Sequence, residues 1–469
     1  MSGTVDFTKG KTSKLILGFF FPLLVTNMLQ QLYTFADTAI VGKGLGDNSL
    51  AAVGNMSTLT FLIIGFSMGL SNGFSILIAQ NFGEKNFKKL RRSLSASIQL
   101  ALLIIVLLTI FSMIFLKPIM IMLQTDSLIM DESLLYGRII FGGLFATIAY
   151  NLSSGILRSL GDSKTPLKAI ITSSILNIAL DIIFIFGFKT GVEGAAIATV
   201  ISQIGSSSIC INKLRKIDFL KLSKEEIKLD PKMYGILLKN GIPMALMNSI
   251  TAIGCMVIQY FVNGLGVAYT SAYSACSKYL NLFMQPSNTA GYAMSAYASQ
   301  NYGAKKFGRI KEGMKSCLAI SFAAYIVLSF VMIFFPSQLA SVLLNGSQQI
   351  AIAAQYLPIC GAFLIFLNCL FVVRSCVQGM GFPLIPMISG IAEMVLRISV
   401  IVLFIGSVGF RTTAYADCCA WIGALAINIF AFVKVYRRES QKAGNIEDTD
   451  NENIEENEYK AKVLKIKKI

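Results

Sequence analysis

Gln80-Asn81-Phe82-Gly83-Glu84-Lys85-Asn86-Phe87 returns along the chain as Gln300-Asn301-Tyr302-Gly303-Ala304-Lys305-Lys306-Phe307, a displacement of 220 residues. Pro22 pairs with Pro243 at nearly the same displacement, and Gly161 and Pro166 pair with Gly381 and Pro386. Self-similarity at a fixed interval marks a repeated architecture, so the chain reads as two similar halves. An even number of apolar stretches, six, separates the copies. If those stretches cross a membrane, both halves have the same orientation and are related by an axis along the membrane normal. Parallel repeats of that kind are a transporter architecture, with substrate held between the halves.

Composition puts the chain in lipid. Of 469 residues, 54% are hydrophobic and 14% charged, and the mean hydropathy is +0.65. A soluble domain could not hide that much apolar surface. Stretches such as Ser95–Leu116, Leu167–Phe188 and Ser316–Phe335 have the roughly 17–25 residues needed to cross a ~30 Å hydrocarbon layer. About twelve helices are predicted, near 15–41, 50–80, 94–116, 133–155, 167–188, 192–212, 233–263, 270–300, 316–336, 353–378, 383–405 and 412–436. The first apolar stretch, from Leu15 to about Val41, exceeds the 7–15-residue core of a signal peptide and is expected to stay as the first helix. The fold expected is an all-α membrane protein of two pseudo-symmetric six-helix bundles. Residues 1–212 form the N-lobe, 213–232 a cytoplasmic linker rich in Lys, Glu and Asp, and 233–438 the C-lobe. Residues 439–469, Asn-, Glu-, Asp- and Lys-rich, are expected to be a disordered cytoplasmic tail.

The formal charge of +16 raises the question of nucleic acid. The basic residues lie instead between spans, on alternate gaps and at both ends: Lys9, Lys11 and Lys14, then Lys85 to Arg92, Arg158, Lys164 and Lys168, the run from Lys213 to Lys232, Lys305 to Lys315, and Lys434 to Arg438. The positive-inside rule then places both termini in the cytoplasm, and no nucleic-acid partner is expected. Nine cysteines without a CxxC pair, and no histidine, leave no zinc set.

Carboxylates inside spans cost at least ~2.5 kcal/mol each at a helix centre and are functional candidates by default. Asp37 stands fifteen residues after Pro22, and Asp181 fifteen after Pro166. Both helices start on the same side, so the two acids reach similar depth and could share a site. Gln30, Tyr33 and Asp37 fall at i, i+3 and i+7, and Asn177 and Asp181 at i and i+4, polar stripes that must face protein or water. Asn151 and Thr199 add polar groups on the fourth and sixth helices. Ile258 and Ile401 stand at the matching places of the second half, so the acid pair occurs once. The plainer alternative is that each Asp bridges helices or sits at the membrane edge. In a shared desolvated site a proton, or a Na⁺ held by Asp37, Asp181 and Asn177, would neutralise the pair. The second half carries Lys278, Arg374, Glu393, Arg397 and Asp417. Glu393 and Arg397 are an i, i+4 pair that can neutralise itself. Lys278 and Arg374 have no local partner in sequence, and Lys278, able to pair with Asp417 or line a cavity, is kept with Glu393 as a secondary candidate.

Through about residue 438 the sequence resembles the multidrug and toxic compound extrusion (MATE) family, in the duplicated halves, Pro22 with Gln30, Tyr33 and Asp37, the Gln80–Gly83 run, and Asn177 with Asp181. It looks closest to the bacterial and archaeal branch whose cation site lies in the N-lobe. The resemblance implies a V-shaped pair of lobes that alternates access, working as a monomer in the bacterial plasma membrane. It implies a secondary antiporter, not an enzyme, exporting organic cations, amphipathic drugs or metabolites in exchange for H⁺ or Na⁺, with no other cofactor. By carry-over, Asp37 and Asp181 bind the coupling ion and Asn177 and Thr199 complete its shell. Gln30, Tyr33, Asn151 and Tyr136 line the substrate cavity, and Pro22 is a hinge. The sequence departs from another branch, which has acids on its seventh and tenth helices; here the seventh has none and the tenth has Arg374. Ser154 replaces an asparagine of some relatives with a first-lobe site.

The nearest rival is a lipid-linked precursor flippase of the same wider superfamily, expected to show a more cationic central cavity and additional helices. A passive channel suits a single asymmetric acid site less well. A membrane-embedded enzyme would need a nucleophile, acid–base pair or metal set that the residues do not offer.

Overall fold

The computed structural model describes residues 4–122 and 125–466, with side chains described through residue 444 apart from those of residues 47, 58 and 252. The N-lobe holds α1 (Thr12–Leu45), α2 (Asp47–Gly83), α3 (Phe87–Met122), α4 (Ser127–Gly142), α5 (Leu144–Ser159), α6 (Lys164–Asp181) and α7 (Val192–Arg215). The C-lobe holds α8 (Pro231–Gly264), α9 (Val267–Phe283), α10 (Gln285–Gly303), α11 (Phe307–Phe334), the short α12 (Pro336–Leu343), α13 (Ser347–Gly379), α14 (Leu384–Val408) and α15 (Arg411–Ile466). Ten of the described helices are long and apolar enough to span a membrane, and α4 with α5, bent by 45° at Gly143, makes an eleventh. The α9–α10 pair occupies the place expected of the eighth span, with a break at Met284 and a polar α10 packed inside the protein. The expected count of about twelve is thereby accounted for. Leu102, Leu103, Val106 and Leu107 on α3, like Val327 and Phe334 on α11, are exposed, which only a lipid environment tolerates.

The repeated octet is a turn. After each Gly the following Lys adopts a left-handed backbone, φ 60° at Lys85 and 57° at Lys305, and Asn86 N–H donates to the Asn81 carbonyl (3.1 Å) as Lys306 N–H does to that of Asn301 (2.8 Å). The two turns face each other across the lobes. A Cβ on Gly83 would lie 1.9 Å from the Gln300 carbonyl oxygen, and one on Gly303 the same distance from that of Gln80. Gln80 Nε2 donates to the Gly379 carbonyl (3.0 Å) and Gln300 Nε2 to that of Ser159 (2.8 Å), so each glutamine reaches into the opposite half. Gly83→Ala and Gly303→Ala are each expected to destabilise the protein by about 1–3 kcal/mol, the usual cost of overpacking. Thermal unfolding in detergent checks this against Gly54→Ala, where a Cβ meets nothing within 4 Å. Equal midpoints for the three variants would sink the reading of a tight backbone contact.

The N-terminal segment closes the same end. Phe7 is fully buried against Phe19 and Tyr297. Val5 N–H donates to the Leu160 carbonyl (2.9 Å) in the N-lobe, while Phe7 N–H donates to Gln300 Oε1 (2.8 Å) in the C-lobe. Helix α1 then crosses between lobes: Ile16, Phe19, Phe20 and Leu23 lie in the C-lobe core, Leu24 packs on it, Leu29 packs on the N-lobe cluster around Tyr150 and Val41 lies in the N-lobe core, so the changeover falls between Leu24 and Leu29, within two turns after Pro22. Further inter-lobe hydrogen bonds run from Asn27 Nδ2 to Thr289 Oγ1 (2.9 Å) and from Asn248 Nδ2 to the Gly65 carbonyl (3.1 Å).

Two boundaries differ from expectation. The linker shortens to residues 216–230 because Asp230 caps α8, accepting from Met233 N–H (3.1 Å), with Pro231 at the first helical position. It is also pinned: Arg91 Nε donates to Glu226 (2.6 Å), and Phe219 packs on Phe82 and Phe87. Burial opposes the Glu226 charge, but hydrogen bonds from Ser223 and Arg91 outweigh it and hold the carboxyl below its ordinary range. The expected disordered tail is described as helix through Ile466, in a stretch whose Glu, Lys and Ala residues favour helix; residues 467–469 lie outside the described residues.

Candidate cation and substrate site

Helices α1 and α6 lean on each other inside the N-lobe and bring the two acids together. The carboxyl groups of Asp37 and Asp181 lie within hydrogen-bonding reach. Asp181 and Asn177 are fully buried. Oδ1 of each aspartate is buried without a hydrogen-bond partner among the described residues. Helix α6 ends at Asp181 and continues as π-helical turns, Ile182–Gly187, a distortion found mostly at functional sites.

Around the pair, Asn177 lies between Asp181 and the Thr199 backbone: with the amide assigned so that both contacts are satisfied, Nδ2 donates to Asp181 Oδ2 (2.8 Å) and Oδ1 accepts from Thr199 N–H (3.3 Å). The Thr199 side chain lies beside the Tyr33 hydroxyl. Tyr136 on α4 is buried and lies within the electrostatic field of both carboxyls and of Tyr33. Asn151 on α5 has a buried Nδ2 with no partner among the described residues. Gln30, two turns before Asp37, is exposed, outside the buried cluster. Two polar groups escaped the sequence reading, Gln203 Oε1 on α7 and Glu132 Oε2 on α4, both buried and unpartnered among the described residues. Each sits one helical turn from a residue already singled out, Thr199 and Tyr136, and that i, i+4 spacing is the signal that could have found it.

The C-lobe differs at the corresponding place. At the 220-residue displacement Arg397 stands where Asn177 does, Arg374 at Ser154, Glu393 at Ser173 and Tyr356 at Tyr136. Arg374 Nη2 meets Glu393 (2.7 Å), Arg397 Nη2 meets Glu393 (3.2 Å), Arg397 Nε meets Asp417 (2.9 Å), and the Tyr356 hydroxyl donates to Asp417 (2.7 Å). Arg374 therefore has a partner that sequence did not show, and Asp417 pairs with Arg397. Lys278 is exposed on α9 and is not part of this network, because α9 is a short helix with one face open rather than the middle of a buried span. Ile258 and Ile401 are buried core residues, so the acid pair has no counterpart here.

The duplication is visible to family comparison as well. The MatE family model matches residues 22–183 and again 243–403. The chain belongs to the MATE family. It is 32% identical to "Probable multidrug resistance protein YoeA" of Bacillus subtilis over 73% of this chain and 75% of that one. It is 28% identical to "Probable multidrug resistance protein YpnP" of the same organism over 80% of this chain and 84% of that one. A crystal structure of a MATE protein in the bent conformation superposes with a TM-score of 0.88 at 21% identity, covering 93% of this chain and 98% of that one. The fold is therefore that of this family of multi-pass membrane transporters.

Proposed function

We propose that this MATE chain is a secondary antiporter that exports organic cations and other amphipathic compounds across the plasma membrane, driven by inward movement of H⁺ or Na⁺. The observation that carries the reading is the Asp37–Asp181 pair, Asp181 fully buried and Asp37 half-buried, each with a buried unpartnered oxygen among the described residues, in one lobe of a duplicated scaffold. Two carboxylates within hydrogen-bonding reach repel strongly unless they share a proton or hold a cation. Tyr33, Tyr136 and Asn151 supply ring faces and an amide for substrate beside the acids. When the pair is neutral α1 can sit close to α6; when it ionises, repulsion drives the two apart, and Pro22, inside α1 and fifteen residues before Asp37, is where the helix can bend. The Lys-rich end, closed in this structure, is assigned to the cytoplasm by its charge.

In proteoliposomes the parent protein is expected to move a fluorescent organic cation when a pH gradient is imposed, and the gradient that drives transport names the ion. Failure of every tested cation to move under either gradient would overturn the proposal in favour of lipid-linked precursor transport.

A further inference from the structure

A cavity of about 750 Å³ lies at the Lys-rich end, between the N-terminal segment, the start of α1, the α5–α6 turn and the end of α7. Its lining carries Lys11, Lys14, Lys164, Lys168 and Lys213, and Asp162 is the one acid among the described lining residues. That acid is already engaged. Asp162 Oδ1 accepts from Lys164 N–H (3.1 Å) and Thr165 N–H (2.9 Å), and Oδ2 accepts from the Thr165 hydroxyl (2.6 Å). Lys11, Lys14, Lys164 and Lys168 make no ion pair among the described residues. Ammonium groups drawn round one hollow create a positive potential that an anion would neutralise.

The rest of the wall says which anion. Leu15, Gly18 and Phe19 make one side apolar, and α1 continues from there with Leu17 and Phe21 exposed, the latter 57%. A free phosphate has no use for such a wall; a diacyl lipid does. We propose that this cavity holds the phosphate headgroup of an anionic phospholipid, with its acyl chains running along α1. Basic recesses between spans on the cytoplasmic side are suited to such headgroups. The cavity is also built partly from the strap that joins the lobes. Thr4, Val5 and Gly10 line it, while Arg309 Nη2 holds the Phe7 and Gly10 carbonyls (3.0 Å each) and Lys306 Nζ that of Thr8 (3.0 Å) from the C-lobe. A headgroup seated here stabilises the arrangement in which this end is closed.

The test uses the purified full chain, delipidated in neutral detergent and titrated separately with phosphatidylglycerol, with phosphatidylcholine of the same acyl chains, and with inorganic phosphate, binding being followed through the thermal midpoint. Phosphatidylglycerol is expected to raise the midpoint and the other two to leave it unchanged. The Lys14→Gln, Lys164→Gln, Lys168→Gln triple variant is expected to weaken that binding roughly a hundredfold, about fivefold for each lysine. The matching triple Arg variant keeps the charge and is expected to keep the binding, which separates loss of the site from loss of the fold. Equal affinity of the Gln variant for phosphatidylglycerol, or an equal response to phosphatidylcholine, overturns the proposal. A shift produced by inorganic phosphate alone overturns the lipid assignment.

Discussion

Asp181→Asn is expected to reduce gradient-driven efflux in proteoliposomes to below about a tenth of the parent rate, with Asp37→Asn close behind, because an exchange site must change its charge as the ion comes and goes. Asparagine has the shape of aspartate but cannot take up or release the ion. Asp181 is fully buried and contacts both Asn177 and Asp37, so the substitution alters the centre of the cluster while leaving its volume in place. The fold is expected to survive, since removing an uncompensated buried carboxylate relieves a desolvation cost; thermal midpoints at or above the parent value would accompany the loss of transport. Binding of the organic cation without a gradient separates the two roles of the site. Retained binding with lost coupling assigns the acids to the ion, and loss of both assigns them to the substrate as well. Coupled efflux at the parent rate in both variants would sink the N-lobe site.

Much of this arrangement was legible before any coordinates. The octet at Gln80 and Gln300 exposed the duplication because a turn that packs against its own copy constrains the same residues twice. The acids of α1 and α6 could be placed at one depth because helical rise is constant and each follows a proline by the same count. What stayed hidden was three-dimensional pairing. Arg374 and Glu393 are nineteen residues apart on different helices, and no periodicity connects them. The nearness of Asn177 to the Thr199 N–H brings in a backbone group to which sequence assigns no direction. Lys278 looked buried because a broken span and an intact one have similar average hydropathy, and the break at Met284 leaves that lysine on an open face. The strap at Val5–Gly10 shows only as a short polar stretch with one Phe, and its value comes from partners some 290 residues away.

Arg397→Met is expected to destabilise the protein by about 3–5 kcal/mol, the largest stability effect argued for any single side chain here, because it strands charges that cannot reach water. Arg397 bridges Glu393 (3.2 Å) and Asp417 (2.9 Å), and all three side chains are buried. With the guanidinium gone, Asp417 keeps only the Tyr356 hydroxyl and Glu393 only Arg374, leaving the quartet with a net negative charge. A balanced change behaves differently. Arg374→Met with Glu393→Met removes one charge of each sign and leaves the Arg397–Asp417 pair intact, so its cost is expected to be well under half that of the single substitution, as for buried pairs replaced together by apolar groups. Thermal unfolding in detergent compares them, and a balanced variant as unstable as Arg397→Met would mean that packing rather than charge balance governs this cluster. The same pair of variants bears on the division between lobes. The C-lobe fills with a self-neutralised quartet the place where the N-lobe leaves two acids uncompensated, so the balanced variant should still couple efflux to the gradient. If it stays folded and loses coupling, the C-lobe quartet belongs to the ion pathway, and the asymmetry that points to Asp37 and Asp181 as the sole exchange site loses its force.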